Sequence, residues 1–210
     1  MELHLNVEDK HDKELSVTDK DELIIEVKDK DNGSLSKISG EEGITLIYAE
    51  EYKPGDKICF TNLNQTKYLM VKVDNEIEES LIYMPGNQME YKILFDDDAV
   101  PYSPETFKGS KHTISMRIAK EEEIYSYRNL AKNPVDQRGD TTYYPHATAN
   151  IETHNRGVFA ARNVIDGVTA TAGHGHWPYQ SWGVGRREDC EVRVDFGREV
   201  EVDKVAVYLR

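Results

Sequence analysis

With 210 residues, among them 12 Tyr, 5 Phe and 2 Trp, the chain is long enough for one large domain or two small ones and too aromatic to remain unfolded. Its formal charge of −13 argues against nucleic acid, whose phosphates recruit Lys/Arg patches, and against anionic membrane surfaces. No stretch approaches the roughly 20 apolar residues of a bilayer span, so no membrane insertion is expected.

The opening MELHLNVEDKHDKEL has neither the basic start nor the apolar run of a secretory signal. The expectation is a cytoplasmic protein by default, or an extracellular one if a leader has been trimmed away. Charge is unevenly spread: residues 1–128 hold 28 acidic against 16 basic side chains, whereas residues 129–210 hold 11 against 10. The basic type changes as well, from 14 Lys and 2 Arg to 2 Lys and 8 Arg, and both Trp fall in the second part. This shift predicts two domains, 1–120 and 129–210, joined over 121–128. Within that join, EEEIYSY reads as a linker or a single helical turn.

In chain order, ELIIEVKD, GITLIYAE, DKICFTNL, TKYLMVKVD, ESLIYMPG, MEYKILFD and HTISMRIA alternate apolar with polar residues, the period of strands with one buried face. Turn residues separate them: DNGS, KPGD, PGNQ, then Pro101 and Pro104. Leu81 to Phe95 reads as a hairpin, with Ile82 and Tyr83 leading into Pro85-Gly86-Asn87 and Tyr91, Ile93 and Phe95 returning. Helical periodicity is almost absent, and a β-sandwich or jelly roll is expected. Asp96-Asp97-Asp98 reads as a solvated acidic loop, because three consecutive carboxylates of an extended segment cannot all face one cation. Cys59 and Cys190 lie in alternating runs and read as reduced, half-buried thiols.

In the second part, CEVRVDFG and EVDKVAVYLR read as neighbouring strands, the latter bulged at Asp203-Lys204. Between them and the join, Ile165-Asp166-Gly167 reads as a turn in which Gly167 takes a positive φ and Asp166 bonds the backbone beyond it. The motifs NLAKNPV, TAN, ARNVIDG, VDFG and EVDKVAVY stand in that order over 129–210, and together they resemble discoidin or coagulation-factor C-type domains. That group includes the family 32 carbohydrate-binding modules and has a galactose-binding-like jelly-roll fold. The resemblance implies an all-β protein of two β-sandwich domains, the second galactose-binding-like and incomplete at its C-terminus. The expected remedy is a longer parent protein, a strand-swapped partner or a homo-oligomer, with the last strand otherwise at an open edge.

The resemblance also implies a calcium site at the turn, with Asp166, Thr169 and Thr171 as ligands; Val168 stands where a second acidic residue is usual, so an ion-free hydrogen-bonded turn is the other reading. It further places a sugar site between the loop 151–157 and the Gly-rich segment 172–187. There Glu152, His154, Arg156, His174, His176, Trp177, Tyr179 and Arg186 are the candidate binding residues. Sugars need an aromatic face against ring C–H groups and fixed donors and acceptors for hydroxyls, and loops on a rigid scaffold supply both. Trp177 is the expected platform, whereas Trp182, between Ser181 and Gly183, is expected to pack inward. His174 and His176 lack the further ligands that zinc requires. No nucleophile elbow, phosphate loop or dinucleotide fingerprint occurs, so no catalysis is expected. The expected function is non-catalytic, lectin-like glycan binding. The alternatives are a protein-interaction or structural β-sandwich, or an accessory fragment of a glycoside hydrolase.

Overall fold

All seven alternating runs form strands in the computed structural model, which describes residues 22–209. The expected domain start at Met1 and the terminal Arg210 lie outside the described residues. In chain order the strands are β1 (Leu23–Lys28), β2 (Ser34–Gly40), β3 (Gly43–Tyr48), β4 (Lys57–Asn62), β5 (Tyr68–Lys72), β6 (Ser80–Tyr83), β7 (Gln88–Lys92) and β8 (His112–Ile118). One sheet runs β2-β1-β4-β7 and the other β3-β8-β5-β6, with every pairing antiparallel. Each strand turns alternate residues inward. Leu23, Ile25 and Val27 of β1, Ile58 and Phe60 of β4, and Leu69 and Val71 of β5 are fully buried. Against them pack Ile82 of β6, Tyr91 of β7 and Ile114 and Met116 of β8. Burying each such side chain is worth about 1.5–3 kcal/mol before the entropy of ordering is counted.

The all-β expectation holds. Among the described residues, helix is limited to α1 (Asp96–Ala99), α2 (Glu121–Tyr125) and three short 3-10 turns. The join is a helical turn: Arg117 donates to both Glu123 carboxylate oxygens at 2.8 and 2.6 Å, and Glu123 also accepts from the Lys120 backbone N–H. These bonds, the arginine's above all, hold the Glu123 carboxyl down to about 2.

Three expectations need correction. Leu81 to Phe95 is not a hairpin: β6 bonds to β5 in one sheet and β7 to β4 in the other, and the PGNQ turn crosses the sandwich. Alternation shows which side chains face inward, but the inner faces of both sheets meet, so Ile82 and Tyr91 share a core without sharing a sheet. β2 was not expected at all; it is an edge strand whose apolar contribution to the core is the partly buried Ile38. The strand expected over EVDKVAVYLR does not form. Residues 201–209 join no ladder among the described residues, and Val202, Val205, Val207 and Leu209 are 60–83% exposed. A period-two pattern becomes a strand only where a neighbour completes its hydrogen bonds, and β10 (Val192–Asp195) pairs with β9 (His146–Ala149) instead.

The regular β structure in 129–209 is that β9-β10 ladder, packed on a small cluster of Ala147, Ala161 and Ile165. The composition shift near Asn129 does not coincide with a break in packing, because Val135 and Tyr143 belong to the sandwich core. Residues 133–144 form a strap along the sandwich. Tyr144 exchanges two backbone hydrogen bonds of 2.8 Å with Tyr83 at the edge of β6. At the edge of β7, the Gln137 amide accepts from Lys92 N at 3.0 Å and donates to Lys92 O at 2.8 Å, standing in for a neighbouring strand.

Arginines fasten the rest. Arg156 pairs with Asp97 at 2.8 Å, and Arg138 with Asp98 at 2.9 Å. Arg198 lies 5.1 and 5.0 Å from the ring centroids of Tyr68 and Tyr83, within cation–π range. Asp96-Asp97-Asp98 is therefore not a free acidic loop but a helical turn that latches the two parts. Gly157 is needed there, since a Cβ would collide with the Asp97 carbonyl. Both cysteines are free, Cys59 half-buried as expected and Cys190 exposed just before β10.

Candidate functional site

Where the sandwich meets the C-terminal part, a cleft of about 170 Å³ opens. The sandwich contributes Glu76 and Glu78 from the β5-β6 loop and Ser103 and Thr106 from the β7-β8 loop; the C-terminal part contributes Arg162, Asp166, Trp177 and Gln180.

The β5-β6 loop is held from beneath. Buried Asp74 accepts from the Glu76 backbone N–H at 3.1 Å and lies 3.0 Å from Nδ1 of buried His112, whose Nε2 meets the Gly109 carbonyl at 2.9 Å. Lys72 Nζ donates to the carbonyls of Asn75 and Ile77 at 3.2 and 3.0 Å. On the opposite wall, Trp177 N donates to Val100 O at 3.2 Å and Tyr179 N to His176 O at 2.8 Å, so the backbone under the indole is fixed. Trp177 remains 42% exposed.

Behind the cleft lies a buried polar network. Arg162, 3% exposed, donates from Nε to Asp136 O at 3.0 Å and from Nη2 to Pro134 O at 3.1 Å, with its guanidinium 4.5 Å from the Tyr102 ring centroid. Asp136 accepts from Ala147 N at 3.0 Å and lies 2.7 Å from His146 Nδ1. Burial works against a charge on His146, but the Asp136 hydrogen bond and carboxylate outweigh it and raise its pKa above the ordinary value.

Asp166 closes its turn as the ion-free reading expects: it accepts from Val168 N at 2.8 Å and from Gln180 Nε2 at 2.7 Å, and Gly167 has φ +84°. The donor set does not fit calcium, because those two bonds and the Arg162 guanidinium 3.7 Å away already answer the carboxylate. Thr169 and Thr171 are exposed beyond the turn. Among the described residues, no group of three or more His, Cys, Asp or Glu is placed to hold a metal ion.

Of the sugar-site candidates, Trp177 alone lines this cleft. Glu152 accepts from Ala161 N at 2.7 Å and from Arg138 Nε at 3.0 Å, so it and Arg156 serve the latch. His154 is exposed at φ 55°, and His174 lies 5.2 Å from the Phe159 ring. His176 and Arg186 are exposed, and the Tyr179 ring fills the space above Gly173. Trp182 is half-buried and donates Nε1 to Ile151 O at 2.8 Å, in keeping with an inward role. Gln180 was within reach of sequence reasoning, three residues after Trp177. Glu76, Glu78, Ser103 and Thr106 come from distant loops and carry no local signal.

Compared with protein-family models, with curated proteins and with solved structures, the chain matches none.

Proposed function

We propose that the protein binds carbohydrate without catalysis, with Trp177 as the stacking platform at the mouth of the seam cleft. The observation that carries this reading is an indole 42% exposed on a hydrogen-bonded loop, beside a cleft lined by carboxylate, hydroxyl and amide groups. The ordered motifs of 129–210 that resemble discoidin-type modules add support from sequence. Glycan-array binding with monosaccharide competition tests it. Trp177→Ala should weaken binding by about 2 kcal/mol, the scale of an aromatic hot spot, and leave the melting temperature unchanged. Undiminished glycan binding by that variant would move Trp177 out of the site.

A second reading, a β-sandwich that pairs with another chain, is favoured by the exposed Val205, Val207 and Leu209. Size-exclusion chromatography with light scattering should then show dimers that Val207→Asp dissociates; a monomer at all concentrations contradicts it.

A further inference from the structure

The balance of donors and acceptors in the cleft narrows the class of sugar, an inference that rests on the carbohydrate reading above. Two residues of the cleft wall, Gln180 and Thr106, each carry a buried side-chain oxygen, Oε1 and Oγ1, with no hydrogen-bond partner among the described residues. The Gln180 amide has one sensible orientation. Its Nε2 donates to Asp166 Oδ2 at 2.7 Å, and turning it over would set an oxygen against a carboxylate. Oε1 therefore remains an acceptor.

At the mouth, Glu78 is paired with Lys132. Glu76 has the Ser103 hydroxyl, donating at 3.3 Å, as its side-chain partner and no ion pair among the described residues. Arg162 does not answer these acceptors, because its Nε and Nη2 donate to backbone carbonyls, its Nη1 donates to Asn163 Oδ1 at 3.3 Å beside Asp166, and its face covers Tyr102. The mouth of the cleft thus presents the Glu76 carboxylate, which has no ion pair among the described residues, beside the Trp177 face.

We infer that it selects an amine-bearing sugar, a hexosamine in its ammonium form, over the neutral hexose and over the uronic acid. The ammonium is held by Glu76 and the Trp177 face, both of which line the cleft. A uronate carboxylate would meet like charge, and Arg162, the cation in the cleft's described lining, is already engaged.

The test is an NMR titration of the full 210-residue chain with glucosamine and galactosamine, each beside its parent hexose and its uronic acid, at neutral pH and low salt. The expected result is roughly tenfold tighter binding of the hexosamine than of its parent, the scale of a charge-assisted hydrogen bond, weakening as salt is raised. Glu76→Gln should bring amine and parent sugar to within about twofold of each other, by weakening the amine's binding far more than the parent's. Trp177→Ala should weaken both. Equal binding of amine and parent, tighter binding of the uronate, or an amine preference that survives Glu76→Gln each overturns the inference and leaves the carbohydrate reading standing. No binding of any saccharide overturns both.

Discussion

Asp136 joins two neighbours with one carboxylate, orienting His146 through Nδ1 and fixing the start of β9 through Ala147 N. Because the folded protein raises the His146 pKa above its ordinary 6.5, the pair contributes stability that is fully present below about pH 6.5 and is lost as pH rises through the folded value. Urea unfolding of the parent should show that loss, and Asp136→Asn should flatten the profile and lower the His146 pKa read by NMR. A His146 that titrates at or below 6.5 in the parent would contradict the assignment. At this scale the sequence revealed side chains whose role depends on near neighbours. Trp177 and Trp182 differ in exposure as their flanking residues suggest, and Gly167 adopts the positive φ its turn requires. Glu152 and Arg156 carried the right chemistry for a sugar site, but their partners, Ala161, Arg138 and Asp97, occupy them in the fold. Glu76 could not be found this way, since only tertiary packing brings it to the cleft.

Strands were legible wherever one face meets the core and illegible where it does not. β1 places a fully buried apolar residue at every second position and β4 does so at Ile58 and Phe60 before the buried Asn62, whereas β2 shows no buried residue and offers Ser, Lys and Gly instead. Sheet membership was not legible, as β6 and β7 show, because the inward pattern is the same from either sheet. Residues 202–209 fail in the opposite way, with the pattern of a strand and no ladder partner among the described residues. The strap is fastened to β7 by Thr142, which donates to Gln88 O at 2.9 Å, and by Gln137 at Lys92. Gln137→Ala removes both bonds to Lys92 and leaves a partly buried N–H and carbonyl unanswered, at a cost of about 1–3 kcal/mol. Amide exchange at Lys92 should accelerate in the variant, while exchange along β1 and β8 changes only as far as global stability does. Unchanged exchange at Lys92 would show that the edge is covered by something else.

Across the described residues, the sandwich core takes in Val135 and Tyr143 of the arginine-rich part, and the two parts meet at an electrostatic seam. The composition shift near Asn129 is real, but its physical meaning is contact: the arginine-rich part uses Arg138, Arg156, Arg162 and Arg198 to grip carboxylates, carbonyls and tyrosines. The Ala-rich cluster under β9 and β10 is small, and Val135 and Tyr143 sit in the sandwich core, so neither part should unfold independently. Calorimetry should show one cooperative transition with equal calorimetric and van't Hoff enthalpies, and two resolved transitions would refute a shared core. The seam also creates the cleft, which makes the site a property of both parts rather than of the motifs in one. The most direct measurement of that claim is an isotope-labelled titration of the parent protein with saccharide. It predicts shifts at the Trp177 indole N–H, the Gln180 side-chain amide and the Glu76 and Ser103 backbone amides, from both sides of the seam. Shifts confined to residues 152–156 and 186–187, or none at saturating saccharide, would contradict it.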